Sequence, residues 1–248
     1  MRKKLLTWLA PVFWLGVWAV LAAVLQKPLL LPSPYQVLIC LLRLMADASF
    51  WKTIGVSLAR VAGGILAATV LGILLGMLTA RSRVADTLFR PLFTAMKSTP
   101  VASVTILLLI WVSRSIVPVL ISAVMVFPAI WSGMYTGICE LDRKYTEIAR
   151  VYHITGSKYF TKLLIPGVRP YLEAAFRSAI GFGWKAGIAA EVLTVPGISI
   201  GKMIYDSKLY LQTTELFAWT TAVVLLSLAL EKLVLGGMGR RKQNDSIQ

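Results

Sequence analysis

The chemistry of catalysis is scarce in this sequence. His153 is the only histidine, Cys40 and Cys139 are the only cysteines, and 11 acidic residues stand against 26 Lys and Arg in 248 positions. No metal-ligand spacing occurs, and no acid–base or nucleophile cluster gathers on one side of the chain. Most metal and histidine-based catalysis is therefore excluded, although not membrane enzymes of every kind. There is no G-x-x-x-x-G-K-[ST] loop, so the chain does not hold ATP in that way. No internal repeat is visible, which argues against a duplicated secondary transporter. Charge itself is sparse, at 15% of residues against about 25% in soluble domains. The net charge of +15 has no aromatic-plus-basic platform outside the apolar runs, so nucleic acid is not expected as a partner.

What is abundant is apolar sequence. Hydrophobic residues make up 57% of the chain, and the mean hydropathy is +0.74. The apolar runs are about 18–25 residues long, the length of membrane-crossing helices and too long for barrel strands. Lipid offers backbone groups no partner, which also favours helices. The expectation is an all-α membrane protein, a single transmembrane domain over residues 1–248 with six spans, or five if the first is lost. Met1-Arg2-Lys3-Lys4 and Leu5–Leu25 read as an uncleaved first helix, being longer than a usual signal-peptide core and lacking a small-residue cleavage site. Residues 28–52, with Pro28, Pro32, Pro34, Arg43 and Asp47, are expected on the outer surface. Helix two covers about 53–80, with Arg60 snorkelling near its outer end. Gly64, Ala68, Gly72, Gly76 and Ala80 recur every four residues along it, a ridge that lets another helix approach closely. Arg81, Arg83 and Arg90 mark a cytoplasmic loop. Helix three spans about 91–112 and is interrupted by Pro100; helix four covers 116–138, with Pro128 inside. Helix five runs over 174–195, residues 196–213 form an outer segment, and helix six covers 214–235.

Between helices four and five lies a polar stretch, ELDRKYTEIARVYHITGSKYFTKLLIPGVRP over 140–170, too long for a simple turn. Tyr145, Ile148, Ala149 and Tyr152 share one face of a short helix. Thr155-Gly156-Ser157 break it and start a second, in which Tyr159, Phe160, Leu163 and Leu164 form an apolar stripe and which Pro166 and Pro170 close. The stretch reads as an amphipathic docking helix–turn–helix; a solvated charged loop is the plainer alternative. Segments placed inside hold fifteen Lys and Arg, at 2, 3, 4, 81, 83, 90, 143, 144, 150, 158, 162, 169, 240, 241 and 242. Those placed outside hold six, at 27, 43, 52, 114, 202 and 208. This bias puts both termini and the 140–170 stretch in the cytoplasm. It also sets Cys40 and Cys139 on opposite sides, so no disulfide is expected between them.

Charges inside the runs are the candidate path residues. In helix five Ala175, Ala179, Gly183, Gly187 and Glu191 line one ridge, while Lys185 lies about 200° round from Gly183. A lipid-facing lysine there costs ~2.5 kcal/mol or more, which favours a watery cavity or a buried ion pair. Glu191 is about 240° further round and ~9 Å along, so the two are not natural partners. Each is open to a structural pair with another helix or to a role in a substrate path, and Lys97 and Trp184 are further path candidates.

The 140–170 stretch resembles the EAA loop of permease subunits of type I ABC importers, E-A-A, three residues, G, nine residues, I-x-L-P. Glu147 and Ala149 match the first and third positions and Pro166 the last. Leu163 and Ile165 stand for Ile and Leu, Ile148 replaces the middle Ala, and His153 takes the place of the Gly, with Gly156 close behind. Ser57-Leu58-Ala59-Arg60 with Gly64, the RSR at 81–83, PLFTAMKSTPVASVTILLLIW, AAEVL and PGISIG are similar to the nitrate/sulfonate/taurine branch. The resemblance implies the type I permease fold, working as a homodimer in a bacterial inner membrane. Its partners would be two cytoplasmic ABC ATPases, which bind the ATP and Mg, and an extracytoplasmic solute-binding protein; this chain would need no cofactor. Glu147, Ala149, His153, Gly156, Lys158, Phe160, Leu163 and Pro166 would meet the ATPase, the apolar stripe filling its groove. The cargo would be a small anion such as nitrate, a sulfonate or taurine, moved by alternating access. An ATP-independent channel or secondary transporter protomer is the rival reading, which leaves the amphipathic stretch unexplained.

Overall fold

The computed structural model describes the backbone of residues 2–151 and 156–244, and side chains over 9–141, at 156 and over 158–233. Among these residues every regular element is a helix: α1 (Arg2–Leu25), α2 (Pro34–Met45), α3 (Ala48–Arg81), α4 (Arg83–Ser98), α5 (Val101–Trp111), α6 (Val117–Val151), the single turn α7 (Ser157–Tyr159) running through a π-helical stretch (Phe160–Leu164) into α8 (Ile165–Thr194), then α9 (Ile200–Leu209) and α10 (Thr213–Asn244). The helices group into two compact units, residues 1–57 with 195–226, and residues 58–194 with 227–248.

In the first unit, short polar contacts fix the turns that apolar packing leaves open. Ser33 caps α2, accepting from Gln36 N while the Gln36 side chain accepts from Ser33 N, a reciprocal capping box. The Asp47 carboxylate accepts from Ser49 N and Ser49 Oγ, both at 2.9 Å, at the start of α3. These bonds, the backbone one foremost, hold its carboxyl below the usual range. Trp18 Nε1 donates to Pro32 O at 3.1 Å, and the Phe50 and Trp219 rings meet at 4.9 Å. Ile200 N, at the start of α9, donates to the buried Ser57 Oγ at 2.9 Å.

The second unit holds the close packing. The four-residue ridge on α3 faces α6, as a ridge of small residues permits. A Cβ on Gly72 would stand 3.0 Å from Ile130 Cβ, and one on Gly76 2.7 Å from Met134 Cβ. Beside this seam Ala68, Phe93, Val126, Phe127, Ile130, Trp131 and Ala179 form a buried core, with the Phe93 and Trp131 rings 4.1 Å apart. Trp131 Nε1 donates to Thr79 Oγ1 at 2.9 Å, which satisfies the indole where no water reaches it.

Several expected boundaries move. Arg83 and Arg90 are not in a loop, and Arg81 ends α3; only Ser82 separates the two helices, and its side chain caps α4 by accepting from Ala85 N. Arg83 and Arg90, with Thr87, Thr94 and Ser98, are one face of an amphipathic helix whose other face carries Phe89, Phe93 and Met96. Helix three is a bent pair: α4 and α5 meet at 108° across Thr99-Pro100. Proline forces the residue before it into extended backbone, which ends α4 at Ser98. The expected short helix at 145–152 is no separate element up to Val151, because α6 runs unbroken from Val117 to Val151. Polarity alone does not break a helix, and no Gly or Pro stands between Gly137 and Gly156. Pro166 and Pro170 do not close the second helix either. The π turn shifts the register, with Ile165 N donating to Phe160 O five residues back, and so accommodates prolines that crowd the preceding turn. The outer segment at 196–213 contains a helix, α9. Among the described residues apolar length marks three spans, in α3, α6 and α10, and a fourth if the bent pair counts as one. That is fewer than six, because the described apolar part of α1 is only Leu9–Leu25 and α8 carries Arg177, Lys185 and Glu191.

Candidate functional site

Two features of the second unit gather the sequence candidates. The first is a cleft of about 660 Å³ walled by α4, α6 and α8. α6 presents Met125, Pro128, Ala129, Ser132 and Thr136, and α8 presents Tyr171, Ala175, Ser178 and Phe182. Each set recurs at three or four residues, one helical stripe per wall. Gly133 lets the walls close at one end, since a Cβ there would meet Ala175 Cβ at 2.7 Å. Met96 and Lys97, in the last turn of α4, complete the lining. Lys97 is the only charged residue of the lining. It makes no ion pair among the described residues.

The other path candidates lie elsewhere. Glu191 is completely buried and paired with Arg60 of α3, Arg60 Nη1 to Glu191 Oε1 at 3.3 Å. Arg60 is therefore not simply snorkelling to the surface; the ion pair holds its guanidinium. Trp184 is also completely buried. Lys185 is exposed, away from the face on which Gly183 meets Val126 and Ile65. Of Lys97, Trp184, Lys185 and Glu191, the structure brings only Lys97 to the cleft. Sequence reading missed the hydroxyls of Ser132, Thr136, Tyr171 and Ser178. Their spacing on α6 and α8 was visible, but nothing in it says that the two stripes face each other.

The second feature is the segment joining α6 to α8. Glu147 and Ala149 fall on the helical backbone of α6 but their side chains lie outside the described residues, and His153 lies outside them altogether. Gly156 has φ +60, a left-handed conformation that suits glycine and breaks the chain direction. Beyond it the apolar stripe divides. Leu164 is buried and Tyr159 half-buried against Met77 and Ala80 of α3 and Ile138 and Leu141 of α6. The stripe as a whole is thus not available to a partner, because half of it completes this chain's own core. Lys158, Phe160 and Pro166 remain exposed, and Leu163 is half-buried. The Arg81 guanidinium stands 5.6 Å from the Phe160 ring centroid, which ties the end of α3 to the π turn. Among the described residues no three His, Cys, Asp or Glu side chains assemble a metal site.

Comparison with known proteins adds to this geometry. The chain is 30% identical over 189 residues to the bicarbonate transport system permease protein CmpB of Synechococcus elongatus, covering 75% of this chain and 66% of that protein. It is 32% identical over 194 residues to the nitrate import permease protein NrtB of Leptolyngbya laminosa, again covering 75% and 66%. Its match to the taurine transport system permease protein TauC of Escherichia coli is 24% over 230 residues, covering 90% of this chain and 83% of TauC. The chain thus spans just under two thirds of the length of CmpB and NrtB. Residues 68–238, which include the cleft, the joining segment and the Arg90-bearing face of α4, match the family described as binding-protein-dependent transport system inner membrane component. The chain belongs to that family, and is a multi-pass membrane protein of the type I permease fold.

Proposed function

We propose that this chain is the non-catalytic membrane subunit of an ATP-driven importer, a permease that carries a small anion. The observation that carries the reading is a family match that contains both features of the second unit: the cleft with its lone lysine, and the joining segment between two long helices. The chain would work as a homodimer with two ABC ATPase subunits, which bind the ATP and Mg, and with an extracytoplasmic solute-binding protein. Glu147, Ala149, His153, Gly156, Lys158, Phe160, Leu163 and Pro166 are proposed to meet the ATPase. The inward packing of Tyr159 and Leu164 supports this arrangement, because it makes the segment a lever fixed to α3 and α6. ATPase closure then tilts α6 and α8 and changes access to the cleft. The charge bias along the sequence supports cytoplasmic termini and a cytoplasmic joining segment. Bicarbonate, nitrate and taurine, named for the relatives, share an anionic group, and Lys97 is the charge placed to meet it. Trp184 and Glu191 brace the walls of the path from behind, and Lys185 extends the exposed face of α8.

Purification in mild detergent tests the reading. An ATPase bearing a P-loop is expected to co-purify with the wild-type chain and to be lost with Glu147→Lys, while membrane insertion is unchanged. A lone homo-oligomer that passes solute without ATP would overturn it in favour of a channel or secondary transporter.

A further inference from the structure

The cleft has a charge and hydrogen-bonding inventory that selects a ligand class. Its lining contains one ammonium, Lys97, and no carboxylate. The next cation along α4, Arg90, is already neutralised: its Nη2 donates to Asp86 Oδ2 at 2.8 Å and to Tyr135 Oη at 2.9 Å. On α8, Lys185 is exposed and lies outside the lining. Lys97 has no ion pair among the described residues, and no acid stands in the lining beside it. Its position in the last turn of α4 helps hold the charge, as the negative end of the helix dipole lies there. A lone charge in a membrane chain faces a watery cavity or awaits a counter-charge.

The hydroxyls are arranged for the same purpose. Of the hydroxyls in the lining, Ser178 donates to Ala175 O at 3.0 Å. Ser132, Thr136 and Tyr171 make no hydrogen bond among the described residues, so their O–H groups are uncommitted. Ser132 and Thr136 stand one turn apart on α6, with Tyr171 on the α8 wall. One ammonium and three free hydroxyl donors, with no acidic acceptor, suit a group that is negative and rich in acceptor oxygens.

We infer that this cleft is a binding site for a small monovalent oxyanion group, a nitrate, carboxylate or sulfonate, with Lys97 selecting the sign of charge and Ser132, Thr136 and Tyr171 donating to its oxygens. The inference rests on the permease reading for its purpose, but its chemistry can be tested without the ATPase. The full chain is placed in nanodiscs of neutral lipid, and acetylation of each lysine is followed by mass spectrometry. Nitrate or methanesulfonate at millimolar concentration is expected to slow acetylation of Lys97 several-fold relative to choline chloride of equal ionic strength. The exposed Lys158 and Lys208 serve as controls and stay unchanged. Protection weakens in the Ser132→Ala, Thr136→Val double variant. Equal slowing at all three lysines, or none at Lys97, overturns the site. In the complex with its ATPase, Lys97→Glu is expected to lower anion uptake at least tenfold, whereas Lys97→Arg keeps it within about threefold. Uptake by Lys97→Glu within twofold of wild type would overturn the site while leaving the permease reading intact. Protection of Lys97 in a chain that recruits no ATPase would sustain the site and overturn the permease reading instead.

Discussion

Helix α8 treats charge in opposite ways on its two faces. On one, Gly183 and Gly187 press against Val126, Ile65, Val61 and Ser122, and the carboxylate that follows, Glu191, is sealed from solvent by Arg60. On the other, Tyr171, Ala175, Ser178 and Phe182 line an open cleft shared with α6, and the cation in that cleft, Lys97, has no ion-pair partner among the described residues. Both faces belong to one continuous helix, and roughly half a turn of rotation separates a packed seam from an open wall. The difference shows what a membrane interior does with a charge. Where helices touch, the charge must be neutralised inside the protein; where they part, water and ligand do it. The packed face is therefore expected to govern stability and the open face solute passage.

The sharpest way to break that contrast is Arg60→Ala. It removes the cation paired with the buried Glu191 carboxylate, and a cost of about 3–5 kcal/mol is expected, read as loss of folded yield and a lower unfolding temperature in detergent. Replacing both residues by methionine should restore most of the loss, since a pair removed together leaves no orphan charge. A stable Arg60→Ala protein would mean that the pair is not what holds the seam. Gly187→Leu comes next. The new side chain runs into Ser122 and Val61, and overpacking of this kind costs about 1–3 kcal/mol, measurable by the same thermal assay.

On the open face the outcome is reversed. Thr136→Val should change stability by no more than about 0.5 kcal/mol, as exposed substitutions usually do, yet reduce anion uptake severalfold in the reconstituted complex. A Thr136→Val protein that unfolds early would place the cleft wall in the core instead. A similarly small stability effect is expected at the joint between α3 and the π turn. Phe160→Ala removes the ring beneath Arg81 and costs about 0.5–1 kcal/mol. Its signature is in coupling: ATP hydrolysis by the complex continues while less solute moves for each ATP. A ratio of transport to hydrolysis equal to wild type would show that the joint transmits nothing.

Particular residues show how far the sequence carried. The helical class followed from apolar runs too long for strands, and the ridge at Gly64, Gly72 and Gly76 followed from its period, because both are local properties that survive in one dimension. Helix ends were read less well. Arg83 and Arg90 were assigned to a loop because their charge outweighed the Phe89–Phe93 stripe opposite them, and Pro166 was read as a stop because a π turn leaves no compositional trace. Membrane-length apolar runs, the bend at Pro100 and the break at Gly156 were determined by the sequence itself. Which partner Glu191 takes, which half of the Tyr159–Leu164 stripe is already used, and the meeting of Lys97 with the hydroxyls of α6 and α8 were decided only by the tertiary structure. The physical reason is that each depends on two helices far apart in the chain. Arg60 and Glu191 are separated by 131 residues, and no local pattern records which distant face a helix will meet.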